Sequence, residues 1–326
     1  MGLVLDHLTA GTRGKPDHVF GNRKITTMVN ADFRDHERRI FRPNGAPCNL
    51  HMTVSTCCSY LIYAVLARRA NAALSKTALS GMNGLICMRT AKMLRKFANW
   101  VHHKERSLHR ATGNDISTPE TRKAAWRHYL WLDHGVLRFW WKNEAEIAPG
   151  VFRSNHPHHA RLERFKAKGV RTVLSLRGKT EKSPYLFEAE SCKTLGLDLV
   201  FAPLGAREFA TRARFIAVLD AFETIPKPFV MHCKSGADRT GLASAMYLLT
   251  YCDATDEEAR AQLTFRYLHI RKSATGRLDF LLENYLKQRA TTGLDLRTWI
   301  TDVYDPDALA KAYGAQKATQ RFWRGW

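Results

Sequence analysis

Acidic residues are scarce in this chain. Against 51 Lys+Arg stand 30 Asp+Glu, a formal charge of +21 over 326 residues. A long apolar run is also missing. The longest candidate window, about Met52 to Leu66, is interrupted by Thr53, Ser55, Thr56 and Ser59 and is too short to cross a bilayer, which excludes a spanning helix there. No basic leader with an apolar core and a small-residue cleavage site opens the chain, so a secretory signal is not expected. The seven cysteines are an odd number without disulfide-type spacing. A disulfide framework is therefore set aside, and a reducing compartment, the cytoplasm, is expected. Zinc-finger spacing, RNP-like motifs and basic strands interleaved with aromatics are all lacking, so the charge is not read as a nucleic-acid footprint. It reads instead as the positive field of a protein that handles anions, amplified by basic appendages.

What is present is concentrated in one decapeptide, His232-Cys233-Lys234-Ser235-Gly236-Ala237-Asp238-Arg239-Thr240-Gly241. Phe229-Val230-Met231 ahead of it is short and apolar, as a buried strand should be. Leu242 to Leu249 behind it reads as a buried helix. A strand, a tight glycine-containing loop and a helix N-terminus make an anion site, because unpaired N–H groups and the helix dipole converge there. A cysteine at its mouth should ionise readily, since positive potential favours thiolate over thiol.

The chemistry that fits is phosphate-monoester hydrolysis through a cysteinyl-phosphate. Cys233 attacks phosphorus as the thiolate and splits one hard displacement into two easier ones. The loop residues Lys234, Ser235, Gly236, Ala237, Asp238 and Arg239 present N–H groups to the equatorial oxygens. Arg239 adds a planar two-point grip that lysine cannot provide. Thr240 is placed to hydrogen-bond the sulfur as it leaves, and His232 to organise the loop. Gly236 and Gly241 permit backbone angles or close approaches that a side chain would block.

This stretch resembles the His-Cys-x5-Arg-Ser/Thr signature of the cysteine-dependent protein tyrosine and dual-specificity phosphatases. Pro149-Gly150-Val151-Phe152-Arg153-Ser154 and Gly169-Val170-Arg171-Thr172-Val173-Leu174-Ser175-Leu176-Arg177 are similar to the opening of the small bacterial dual-specificity-like branch. The resemblance covers roughly residues 145–290. It implies a protein tyrosine phosphatase-like hydrolase, without metal or other cofactor, acting on a phosphorylated protein or on a phosphorylated small molecule or lipid.

The departing alcohol needs a proton, normally from a carboxylic acid. Many members of the family place an aspartate on a loop before the cysteine, but Gly205 to Thr211 holds only Glu208. Asp198 at a strand start and Asp220 inside a helix are poorly placed. Asp238 is the first choice, in an arrangement resembling myotubularins and certain bacterial tyrosine/lipid phosphatases, and Glu208 is the second. Lys234 resembles the lysine of phosphatase-and-tensin-type lipid phosphatases, whose second lysine is replaced here by Ala237. Three functions follow: a tyrosine or dual-specificity protein phosphatase, a phosphoinositide or inositol-polyphosphate phosphatase, or a non-catalytic phosphate-binding module. Intact Cys233 and Arg239 argue against the last.

Along the chain, residues 1–92 carry 13 Lys+Arg, 5 Asp+Glu and four cysteines. They read as a basic, poorly ordered extension, with a translation start at Met82, Met88 or Met93 as the alternative. Cys57-Cys58 lacks matching ligands for a zinc pair. Residues 93–144 form a basic, Trp-rich helical segment, expected to pack on the catalytic domain or a second copy, with peripheral contact to an anionic membrane as the other reading. His102-His103 and His158-His159 lack i,i+4 ligand partners and read as structural or solvated. Between 145 and 290, helices over 161–168, 184–195 and 211–222 alternate with strands over 170–176, 197–204 and 229–231. The fold expected is α/β, with a largely parallel central sheet flanked by helices. Thr255-x-x-Glu258 opens a helix running through His269. Residues 291–326 form a C-terminal tail with weak structure signals. No feature of the sequence sets an oligomeric state.

Overall fold

The computed structural model describes residues 112–322, together with Asn99 and Ser107. The extension 1–92, Trp100 and His102-His103 lie outside the described residues. The first helix, α1 (Pro119–Arg127), is opened by a reciprocal cap in which Thr118 and Thr121 each accept from the other's backbone N–H. It passes into a π-turn, His128–Leu132, and a 3-10 turn, Gly135–Phe139.

Strands β1 (Ala145–Ala148) and β2 (Val151–Ser154) are followed by α2 (His159–Ala167), β3 (Thr172–Ser175), α3 (Ser183–Leu195) and β4 (Asp198–Phe201). Next come α4 (Arg212–Thr224), β5 (Phe229–His232), α5 (Asp238–Tyr251), α6 (Asp256–Ala261), α7 (Arg277–Thr292) and α8 (Pro306–Phe322). The strands lie in the order β1-β2-β5-β3-β4. All neighbours are parallel except the β1–β2 hairpin. The α/β class expected from the sequence is thus the observed one.

Period-two alternation assigns the two faces. Val151, Leu174, Phe229 and Met231 enter the large core shared with α4 and α5, whereas Phe152, Val173 and Val230 enter a smaller one beneath α2 and α3. Parallel strands buried on both faces read as continuous apolar runs, which is why β5 was legible from Phe-Val-Met. Gly196 ends α3 with φ +63°, a left-handed cap open to glycine at no steric cost. In register, Ser154, His232 and Ser175 stand level, so three parallel strands finish together and Cys233 emerges from the C-terminal edge of the central one. That edge is where open α/β sheets place ligands.

Two expectations are corrected. The helix opened by Thr255 stops at Ala261 rather than His269. The backbone carbonyl of Gln262 is taken by Arg153, and Tyr267 and His269 turn inward, so tertiary partners override the helical pattern. The tail after residue 290 is structured as far as Phe322. Asp295 caps a turn at Leu296–Thr298, a π-turn follows at Trp299–Val303, and α8 completes the described chain. Trp299 and Tyr304 are buried in the large core, and Tyr304 donates from its hydroxyl to the Ala210 carbonyl at 2.7 Å. The two short turns carry little periodicity, and their stability comes from the aromatic burial.

The described part of the Trp-rich segment, from residue 112 on, packs as a satellite cluster on α3. Trp126 and Tyr129 meet Phe187 edge-on, and Arg122 donates to Glu190 at 2.9 Å. His159 is buried and His158 half-buried.

Candidate active site

The loop from Cys233 to Ala237 connects β5 to α5, so Asp238, Arg239 and Thr240 form the first turn of a 14-residue helix whose leading N–H groups lack intrahelical partners. Gly236 makes the loop possible. Its φ is +71°, and a Cβ there would stand 2.7 Å from Asn155 N and 2.9 Å from Ser154 C. The Gly236 N–H is thereby aimed at Cys233 Sγ, 3.3 Å away. Burial by itself pushes the thiol up. The Arg239 charge, the Thr240 hydroxyl and the Thr240 and Gly236 N–H groups outweigh burial and hold it below its ordinary range. Thr240 Oγ1 is buried with no other hydrogen-bond partner among the described residues, which leaves it to the sulfur. Arg239 Nη1 rests on the Leu176 carbonyl at 3.3 Å.

Residues remote in sequence hold this loop. Arg153, fully buried, donates to the Gly236 carbonyl at 2.7 Å and to Gln262 Oε1 at 2.6 Å, with its guanidinium 3.5 Å from the centre of the Tyr267 ring. Burial lowers the Arg153 pKa to about 10, which still leaves it charged near neutrality. Asn143 donates to the carbonyls of Ser235 and Tyr267 at 2.7 and 2.9 Å. His232 sits beneath the loop, its Nδ1 3.2 Å from the Cys233 carbonyl and its Nε2 2.6 Å from Glu188 Oε1. Ala237 N–H turns to the Ser235 hydroxyl at 3.4 Å.

Beside the loop lies a buried carboxylate, Asp133, surrounded by cations. Arg177 meets it through two bonds of 2.9 and 3.1 Å, Arg138 at 2.9 Å and Lys234 at 3.3 Å. Burial opposes ionisation, but these three charges hold the Asp133 carboxyl well below the usual carboxylate range. Lys234 is in turn lowered by burial and by its Arg177 and Arg138 neighbours, against the pull of Asp133. Its charge is therefore shared with a network rather than presented alone.

On the other side of the loop, Asp238 Oδ1 lies 2.7 Å from His269 Nδ1, and His269 Nε2 lies 2.7 Å from Asp279 Oδ2. Burial lowers the His269 pKa, but the two carboxylates carry it up to about 9, so the ring is an imidazolium donating from both nitrogens. Glu208 is elsewhere in character. Its side chain is 63% exposed and paired with Arg214 at 2.8 Å. Asp198 is exposed, and Asp220 pairs with Arg297 at 2.9 Å.

One group of possible metal ligands lies near the site. His156, Glu188 and His232 bring ligating atoms within 4.8 Å of one another in a buried spot. The 2.6 Å His232–Glu188 approach is a hydrogen-bond length, whereas two ligands on one zinc at ~2.0–2.1 Å stand ~3.3 Å apart in tetrahedral geometry. Burial and the charges of Arg177, His232 and Arg138 push His156 well below its ordinary range. The group lies under the loop as a buried set of ionic contacts, with His232 Nδ1 3.2 Å from the Cys233 carbonyl. Sequence reasoning missed Asp133, Asn143, Glu188 and the role of His269. The Asn143–Ser235 contact spans 92 residues and His269–Asp238 spans 31, so no local spacing signals them.

A largely parallel sheet whose central strand delivers Cys-x5-Arg into a helix N-terminus is the arrangement that the sequence resemblance implied. Residues 139–279 match the model of the tyrosine phosphatase family. No curated protein matches the chain significantly. Among solved structures it is similar to TpbA of P. aeruginosa, at 19% identity and a TM-score of 0.35 over 52% of this chain and 90% of that one. A TpbA variant in complex with pTyr is similar at 19% identity and a TM-score of 0.33, over 44% of this chain and 91% of that one. The catalytic core of the PP-IP phosphatase Siw14 from S. cerevisiae is similar at 17% identity and a TM-score of 0.34, over 46% and 92% of the respective chains.

Proposed function

We propose that this protein hydrolyses phosphate monoesters through a cysteinyl-phosphate on Cys233, and that its substrate is a phosphotyrosine or mixed-specificity phosphoprotein. One observation carries the reading: Cys233 is buried, yet its thiol is held below the ordinary range by donors that also suit a phosphoryl group. In the first step the thiolate attacks phosphorus, the S–P bond forms and the P–O bond to the alcohol breaks. The loop N–H groups and Arg239 take the charge on the equatorial oxygens. Asp238 passes to the leaving oxygen the proton it draws from the His269 imidazolium, 2.7 Å away, and the ring is left neutral. In the second step Asp238 accepts a proton from water, which attacks phosphorus. The thiolate then leaves, aided by Thr240, and inorganic phosphate departs.

His232 fits a loop-organising part through its contacts with the Cys233 carbonyl and Glu188. Glu208, solvated and paired with Arg214, is the weaker candidate for the acid. The working thiolate calls for a reducing compartment, and we assign the protein to the cytoplasm on that ground. Among the described residues, no helix is long and apolar enough to cross a membrane.

A second reading, hydrolysis of phosphoinositides or inositol polyphosphates, is favoured by the cations Arg138, Arg177 and Lys234 around Asp133, which would suit a substrate with several phosphates. Acid quenching during turnover should trap phosphate on a peptide containing Cys233, and its absence there would end the cysteinyl-phosphate mechanism. Relative kcat/KM on phosphotyrosine peptides and on inositol phosphates decides the substrate: higher values on the latter would overturn the phosphoprotein reading.

A further inference from the structure

Six large hydrophobic side chains are exposed among the described residues, and three of them, Phe265, Leu268 and Ile270, fall within six positions. The intervening residues point the other way. Tyr267 lies under Arg153, and its carbonyl accepts from Asn143, which also holds the catalytic loop. His269 is clamped between Asp238 and Asp279. Leu268 between them adopts φ +61°, a left-handed conformation unfavourable for a branched side chain. The two inward anchors therefore hold the segment in a shape that displays apolar groups to solvent at a cost.

The displayed groups border a concave surface. A cavity of about 430 Å³ is walled by Leu263, Phe265, Ile270 and Leu282, with Arg271 and Lys272 at its rim. A second, also about 430 Å³, shares Arg271, Lys272 and Glu283 and continues past Phe280 and Tyr313 to Lys287 and Lys317. Through these shared residues the two cavities adjoin, forming a concave face between the 265–272 segment, α7 and α8, called the groove below. Of its acidic residues, Glu283 is engaged by Arg260 at 3.2 Å and by Arg271 at 3.8 Å, and Asp279 by His269 at 2.7 Å. The groove is thus apolar inside and cationic along its edge, and it begins at His269, the residue bonded to the catalytic loop.

We propose that this groove docks an acidic polypeptide segment carrying one apolar anchor side chain, contributed by the phosphoprotein substrate. This rests on the phosphoprotein reading given above. Carboxylates of the segment complement Arg271, Lys272, Lys287 and Lys317, and the anchor enters the apolar cavity beside Ile270. Two adjoining cavities suit a polypeptide segment with more than one side chain to place. A bilayer, by contrast, is met by projecting side chains and a flat basic face.

The test compares the full chain with Arg271→Glu/Lys272→Glu and with Ile270→Ser. Substrates are p-nitrophenyl phosphate, a phosphotyrosine peptide with acidic flanks and a leucine, its lysine-flanked counterpart, and the acidic peptide with that leucine changed to alanine. The charge reversal should raise KM for the acidic peptide about tenfold and leave kcat and p-nitrophenyl phosphate hydrolysis unchanged. Ile270→Ser should raise KM for the leucine peptide and add nothing once the leucine is alanine. Equal KM values for wild type and variants on the acidic peptide would overturn the groove alone. Wild-type turnover of p-nitrophenyl phosphate with none of any phosphopeptide would overturn the substrate reading and the groove with it. Sedimentation with phosphatidylserine vesicles that the charge reversal abolishes, at unchanged peptide KM, would overturn the proposal in favour of a lipid surface.

Discussion

Cys192 and Cys233 are both buried thiols, one on α3 beneath the sheet and one at the sheet's edge, and their pKa values move in opposite directions. Around Cys192 stand Phe152, Phe165, Val173 and other apolar groups, and burial, reinforced by the Glu188 charge, pushes the thiol up. Around Cys233 burial acts in the same sense but is outweighed by Arg239, Thr240 and the Gly236 N–H. Desolvation is therefore common to both positions. What differs is whether the loss of water is replaced by donors aimed at sulfur. A strand that ends in a loop and a helix N-terminus supplies those donors, and a helix interior, whose N–H groups are already used, cannot.

The largest effect that would break this comparison is at the sulfur itself. Cys233→Ser should lower kcat by about 10⁴-fold or more, because a hydroxyl is far less acidic than this thiol. Cys192→Ser should leave kcat within about twofold and cost about 1–2 kcal/mol of stability by placing a hydroxyl in an apolar core. Steady-state kinetics and urea unfolding of both variants check the pair. Iodoacetamide should also inactivate the enzyme, through Cys233, at pH values well below the ~8.5 at which an ordinary thiol ionises. Preferential labelling of Cys192 would refute the contrast.

Next in size is Arg239→Lys, which keeps the charge near Cys233 but loses the two-point grip. A fall in kcat/KM of about 10²–10³-fold is expected, with the iodoacetamide pH profile nearly in place. Rates near wild type would mean that this guanidinium does not meet the transition state.

A selective loss is expected at Asp238. Asp238→Asn should slow phosphotyrosine hydrolysis about 10²-fold and barely affect p-nitrophenyl phosphate, whose alcohol leaves without help. Glu208→Gln should change neither substrate. The reverse pattern would move the acid role to Glu208, and equal losses on both substrates from Asp238→Asn would reduce Asp238 to a positioning residue.

The smallest effect is on stability against pH. His269 is raised from 6.5 to about 9 by its two carboxylates, so its contribution is complete below about pH 6.5 and is lost as pH rises through about 9. Thermal unfolding midpoints should fall over that window in the wild type and fall less in His269→Gln. Identical pH dependence in the two proteins would show that the imidazolium is not held between Asp238 and Asp279.

Much of the fold could be read directly. The apolar run Phe229-Val230-Met231 is a central parallel strand because both its faces are covered, and Gly196 ends a helix where a left-handed cap is needed. Thr255 and Glu258 form the reciprocal cap their spacing indicates. The end of that helix was not readable, since Gln262, Tyr267 and His269 answer to partners far along the chain. The structure of residues 291–322 leaves only weak local signals, because Trp299 and Tyr304 are ordered by burial against Tyr285, Phe215 and each other rather than by helical periodicity.

In the site, the decapeptide by itself pointed to the proposed nucleophile Cys233, to Arg239 and to a loop leading into a helix N-terminus. An N–H cradle is a local structure: consecutive backbone groups, one glycine and one helix start suffice to build it. Tertiary structure alone decided what surrounds that cradle. It set Asp133 among Arg138, Arg177 and Lys234, placed Glu188 under His232, and closed His269 between Asp238 and Asp279. Those are interactions between charged or polar side chains from separate elements. Their strength depends on distance and burial, and packing the sheet and helices together is what brings the groups within reach and removes the water between them.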